Sequence, residues 1–152
     1  MKKSWIIVLA FVFLYNAVPA FSAPRPVPKR LCWLFDDDYL SIRLLPESKG
    51  KIRGVEYFDM TGSFSFPGWG FLLNGSAHRK GKNVLHLGFT GTFDLDGPGG
   101  GGDMLQFGFD VLYNLKTKEG EMSLMYSGGD EADEASVPIA GVGCSSLPKP
   151  LW

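Results

Sequence analysis

Few side chains in this 152-residue chain are of the types that do chemistry near neutral pH, and their spacing limits what that chemistry can be. The two cysteines, Cys32 and Cys144, stand at opposite ends of a glycine-rich region. In an oxidising compartment two such thiols pair rather than stay reactive, so a structural disulfide is expected and no thiol is left for catalysis. The two histidines, His78 and His86, flank a turn around Gly81. On a hairpin they would stand on neighbouring strands, where a shared metal or acid–base site is one reading. Spacing identifies no third ligand, so two solvent-facing polar positions are favoured and neither a metal nor a cofactor is expected.

Acidic residues cluster around glycine. Asp94, Asp96 and Asp103 surround Gly97–Gly102, and hard cations take oxygen ligands from bending loops of this kind. The spacing does not follow the EF-hand loop, and a solvated hairpin connection is the simpler reading. Gly97, Gly99 and Gly102 also satisfy G-x-G-x-x-G, but that fingerprint needs a helix to receive the pyrophosphate, and the residues that follow are patterned as a strand. The runs Asp36, Asp37, Asp38 and Asp130, Glu131, Asp133, Glu134 are read as wet surface. Neither H-E-x-x-H nor G-x-S-x-G occurs. No catalytic residue is assigned, and a non-enzymatic role is favoured.

The densest aromatic cluster is Tyr57, Phe58, Phe64, Phe66, Trp69 and Phe71. Within 64–71 (FSFPGWGF) the Pro-Gly and Gly-Trp-Gly steps interrupt regular pairing. Phe66, Trp69 and Phe71 are therefore the candidate ligand-binding residues, as a platform on a Gly-flanked loop. The competing reading makes the same rings a core plug.

These groups must be positioned by strands. Residues 103–115 (DMLQFGFDVLYNL) and 84–95 (VLHLGFTGTFDL) alternate apolar and polar side chains with a period of two, which buries one face of a strand and wets the other. Shorter alternations predict strands over 39–45, 51–60, 63–66, 70–77, 121–126 and 137–143. The intervening turns are predicted at 46–50, 61–62, 67–68, 79–83, 97–102, 116–120 and 128–134. No ten-residue stretch beyond the leader carries a helical period. The expectation is an all-β domain, a single antiparallel meander of about eight strands closed into a small barrel, with a β-sandwich as the alternative. The cysteines favour the barrel, because closure sets first and last strands side by side and a disulfide needs Cα atoms within about 7 Å.

The chain opens with Lys2 and Lys3, an uncharged apolar run at 5–15, and small residues, the pattern of a cleaved secretion signal over 1–22 with cleavage near Ala20 or Ser22. The run is shorter than the roughly 20 apolar residues a transmembrane helix needs. Residues 23–30 form a proline-rich basic tether, 31–147 a single β domain and 148–152 a C-terminal tail. Full-length net charge is −1, which excludes the basic balance that draws a protein to nucleic acid. A transmembrane barrel is disfavoured by the two prolines after Leu147 and by the many Gly and Pro interruptions.

The expected architecture resembles that of calycins, the lipocalin and avidin class of small antiparallel barrels. The resemblance is topological: lipocalins place a Gly two residues before their first-strand Trp, whereas Trp33 follows Leu31 and Cys32. It implies a small apolar ligand in the barrel mouth. The functional expectation is a secreted or periplasmic non-enzymatic barrel protein binding a small hydrophobic ligand. Its alternatives are an inhibitor or surface interaction protein meeting an extracellular partner through loops 67–70 and 97–103, and a small hydrolase or isomerase with a site inside the barrel.

Overall fold

The computed structural model describes residues 23–35, 40–66, 69–94, 104–128 and 131–147, of which positions 35, 40, 66, 69, 131 and 132 are described by backbone alone. Eight strands follow one another: β1 (Leu31–Phe35), β2 (Leu40–Ile52), β3 (Val55–Phe66), β4 (Trp69–Arg79), β5 (Val84–Asp94), β6 (Met104–Asn114), β7 (Glu119–Gly128) and β8 (Glu131–Gly141). Each pairs antiparallel with its neighbour in sequence, and β8 returns to β1, so the meander closes in a ring as a barrel. No helix forms among the described residues.

Closure is narrow. The β1–β8 seam holds two register pairs, Trp33 with Gly141 and Leu34 with Ala140. The Val142 amide extends it by donating to the Cys32 carbonyl at 2.8 Å. Just beyond, Cys144 is bonded to Cys32 with Cα atoms 5.3 Å apart, a link across 112 residues of sequence. The expected disulfide therefore sits at the seam where first and last strands meet.

Strict alternation places the core inside. Leu85, Leu87 and Phe89 of β5 lie opposite Tyr113, Val111 and Phe109 of β6, and all six are buried. The outward positions between them carry His86, Asp110 and Leu112. Elsewhere on the outer wall stand Glu47, Asp59, Asn74, Thr90, Gln106, Glu121 and Glu134, all exposed. An apolar interior under a mostly polar outer wall, interrupted by exposed Leu45, Leu72, Leu112 and Met125, differs from a transmembrane barrel, which faces lipid with a continuous apolar band.

The strands at 84–95 and 103–115 match β5 and β6 to within a residue at each end. Elsewhere the boundaries differ. Residues 46–50, expected as a turn, belong to β2, which continues through a bulge between Ser48 and Gly50 to a tight turn at Arg53 and Gly54. Both turn residues have positive φ (50° and 82°), the twist-matching geometry of a two-residue hairpin. Pro46 is tolerated because β1 pairs with β2 only as far as Leu44, leaving β2 as an edge on that side. Thr61-Gly62, also expected as a turn, lies inside β3, where Gly62 packs so close to the Arg43 backbone and Leu44 that a Cβ would overlap both. The expected strands 51–60 and 63–66 are thus one strand. The count of eight is restored by β1, and β8 begins at Glu131 within a stretch expected to turn.

Reducing the disulfide should lower stability by about 4–5 kcal/mol, the magnitude of the chain-entropy account for a loop of this size. Urea unfolding with and without reductant, and of Cys32→Ser/Cys144→Ser, measures it. A midpoint unchanged by reduction would show that the seam holds without the bond.

Candidate functional site

The interior of the barrel is an aromatic column. Phe71 stacks on Phe64 (ring centroids 5.0 Å) and on Phe107 (4.9 Å), Phe109 stacks on Phe89 (4.9 Å), and Trp33 lies against Tyr113 (5.2 Å). Offset ring pairs at these distances add about 0.5–1.5 kcal/mol each beyond their area. Glycines make the space for the rings. Gly91 faces the Phe71 ring, and Gly75 faces the Gly88 carbonyl and Phe89, so that a methyl at either position would overlap its neighbour. Met60, Leu73, Leu87, Val111 and Met122, each almost wholly buried, fill the levels between.

Of the three candidate ligand-binding residues, Phe71 is buried in this column at 5% exposure. Phe66 and Trp69 face each other as the last register pair of β3 and β4, and their side chains lie outside the described residues. Phe93 and Phe107 cap the column at the same end and are only partly buried. At the opposite end the tether closes in: Arg25, Pro26 and Pro28 line a hollow of about 430 Å³ with Leu31, Tyr113, Leu115 and Lys118. Burial raises the Tyr113 hydroxyl above its ordinary value of 10.0; the adjacent Trp33 indole N–H opposes that shift without reaching hydrogen-bond geometry.

The two histidines do meet. His78 and His86 are a direct register pair of β4 and β5, with ring centroids 4.9 Å apart, edge to face. Tyr57 of β3 flanks His78 at 5.9 Å. Asp110 of β6 accepts or shares a proton with His86 Nε2 at 2.8 Å. Sequence spacing missed Asp110, which is 24 residues from its partner; its one signal is a charge on the wet face of the strongest alternating strand. An imidazole oriented by a carboxylate is the beginning of acid–base machinery. Here, however, side-chain exposures of 33% and 54% leave the pair open to water, without the exclusion that makes such groups catalytically strong. Among the described residues no three His, Cys, Asp or Glu side chains are grouped to hold a metal ion.

A further concave feature lies across β5 to β8 near the Phe93 and Phe107 end. This depression of about 730 Å³ is lined by Thr90, Thr92, Gln106, Gly108, Met125 and Ser127 of the outward set, together with Asp133 and Glu134. The bare Gly108 leaves backbone accessible between Thr90 and Met125, its register partners on the two neighbouring strands. Such a surface offers hydroxyls, an amide and a thioether to a ligand laid along the wall. Of the acidic groups singled out by sequence, Asp94 ends β5 opposite Met104, and Asp133 and Glu134 are exposed on β8. Asp36, Asp37, Asp38, Asp96, Asp103 and Asp130, with loops 67–68 and 97–103, lie outside the described residues, as do segments 1–22 and 148–152.

The fold and site define an eight-stranded antiparallel barrel, closed by a disulfide, with a packed aromatic interior and a polar outer wall. The chain matches no family model, no curated protein and no solved structure.

Two expectations follow from the interior. Gly75→Ala should cost about 2–3 kcal/mol, because the added methyl meets backbone that cannot yield, whereas Gly88→Ala on the open outer wall should leave stability nearly unchanged. Urea midpoints of the two variants decide it. Tyr113 holds its proton more tightly folded than unfolded, so its contribution to stability should be constant below about pH 10 and fall above it as the unfolded chain ionises first. Stability curves against pH should lose that component of the slope in Tyr113→Phe.

Proposed function

We propose that the protein is a secreted or periplasmic, non-enzymatic barrel that acts as an interaction protein through its outer surface, with the depression across β5–β8 as its contact site. The filled interior carries this reading: rings and aliphatic side chains occupy the barrel from Leu31 and Trp33 to Phe64 and Phe107. A lipocalin-like mode of binding needs an open apolar cavity. With the axis occupied, recognition passes to the wall and the strand ends. The disulfide fits an oxidising compartment, as the leader pattern and tether do. A rigid closed barrel also suits this task, since a surface that does not rearrange loses little entropy on binding.

A second reading keeps the small hydrophobic ligand and seats it at the mouth, where Phe93 and Phe107 are only partly covered. Titration with an apolar fluorophore such as N-phenyl-1-naphthylamine separates the two. No saturable binding is expected from an outer-wall interaction protein. A photo-crosslinking residue at Thr92, introduced in the exporting host, should capture a macromolecule that the same residue at Thr117 does not. One-to-one fluorophore binding that is lost in Phe107→Ser, with no capture from Thr92, would instead assign function to the barrel mouth.

A further inference from the structure

Successive connections of an up-and-down barrel alternate between its two ends, and in this chain that alternation sorts charge. The turns 53–54, 80–83 and 115–118 lie at the end where β1 begins and the tether arrives. There Lys51, Arg53, Lys80, Lys82, Lys116 and Lys118 are all exposed, as are Arg25, Lys29 and Arg30 of the tether. In sequence, the stretches that alternate with these turns, 36–38, 94–103 and 130–134, contain ten of the 16 acidic residues and none of the 15 basic ones. Of these, Asp94, Asp133 and Glu134 stand toward the end of the barrel opposite the basic turns, so the described residues are unevenly charged along its axis.

The basic end also carries an apolar tip. β1 pairs with β2 only to Leu44, and β4 pairs with β3 only from Tyr57, so the β2–β3 hairpin projects past both neighbours. At its end Ile52 is 63% exposed, flanked in sequence by Lys51 and Arg53. The cations further down are partly compensated: Lys49 is bridged to Asp59 and Glu47, and Arg79 to Glu56. The projecting hairpin, 45–56, carries Lys49, Lys51 and Arg53 against Glu47 and Glu56, an excess of one positive charge gathered at its tip.

We propose that this end is a docking face for an anionic lipid surface, on which the exposed cations meet headgroup phosphates while Ile52 enters the interface. Clustered Lys and Arg side chains are attracted to the negative potential of such a surface, and a small apolar tip among them strengthens the attachment. One observation favours a membrane over a nucleic acid. An isoleucine presented foremost gains by leaving water for an acyl boundary and has no counterpart in a phosphate backbone. This inference is independent of the contact site across β5–β8.

Co-sedimentation of the leader-free protein with vesicles tests it. Binding to phosphatidylcholine vesicles containing phosphatidylglycerol, absent with phosphatidylcholine alone and lost at high salt, is the expected result. Lys51→Gln/Arg53→Gln should weaken the partition about tenfold, and Ile52→Ser should weaken it severalfold while leaving the salt dependence in place. All three substitutions are at exposed tip positions, and unchanged thermal unfolding confirms that the barrel is intact. Absence of binding, equal binding to both vesicle types, or equal binding by the double variant would overturn the proposal. Tighter binding to double-stranded DNA than to anionic vesicles, weakened by the double variant but not by Ile52→Ser, would reassign the face to nucleic acid.

Discussion

The structure depends on closing a ring at its narrowest seam. Seven of the eight strand pairings are extended ladders, and each joins neighbours in sequence. The eighth joins a five-residue strand to the last through two register pairs. If it failed, β1 and β8 would become open edges, and Trp33, wholly buried between its neighbours, would lose one wall of its pocket. The Cys32–Cys144 bond lies beside this seam and holds the most distant parts of the domain together where the backbone ladder is shortest. A bond placed at any long ladder would add less to what hydrogen bonding already secures.

Once the ring is closed, its interior must be filled, and this chain fills it with aromatic rings set against inward-facing glycines. Gly75 against Phe89 and Gly91 against Phe71 are complementary shapes rather than independent preferences for small and large residues. Dense packing of this kind leaves side chains no room to move aside for a guest. Small polar residues and bare backbone occur together instead on the outer wall around Gly108.

The ends differ because a meander distributes its connections in alternation. Every second connection of this chain is acidic or glycine-rich and uncharged, and the intervening ones are basic. On an extended chain the two kinds of charge are interleaved and nearly cancel. Folded, the basic turns lie a strand's length from Asp94, Asp133 and Glu134, about 35 Å along eleven residues, well beyond the screening length at physiological salt. A protein of almost no net charge can in this way present opposite potentials at its two poles.

Much of the architecture was legible in residue order. The two-residue period of 84–95 and 103–115 located β5 and β6, because one buried and one wet face impose that alternation on any strand of the wall. The cysteine positions pointed to closure. Less legible were the features decided by neighbours. Pro46 and Thr61-Gly62 carry turn chemistry locally but lie within strands, since an edge position tolerates the proline and a close backbone approach requires the glycine. Phe71 was open to two readings, platform or core plug, with the plug favoured, and Phe64 and Phe107 stacked against it place it in the core. His86 acquired Asp110 as a partner only through the β5–β6 register, which no spacing along the chain encodes. By itself the sequence determined an all-β meander, strands β5 and β6, the disulfide and the alternation of inner and outer faces, because these follow from local periodicity and covalent chemistry. Only the tertiary structure decided that the barrel is filled, that the histidines meet a carboxylate and that charge is divided between two poles. Each of these depends on which strands become neighbours and which turns share an end.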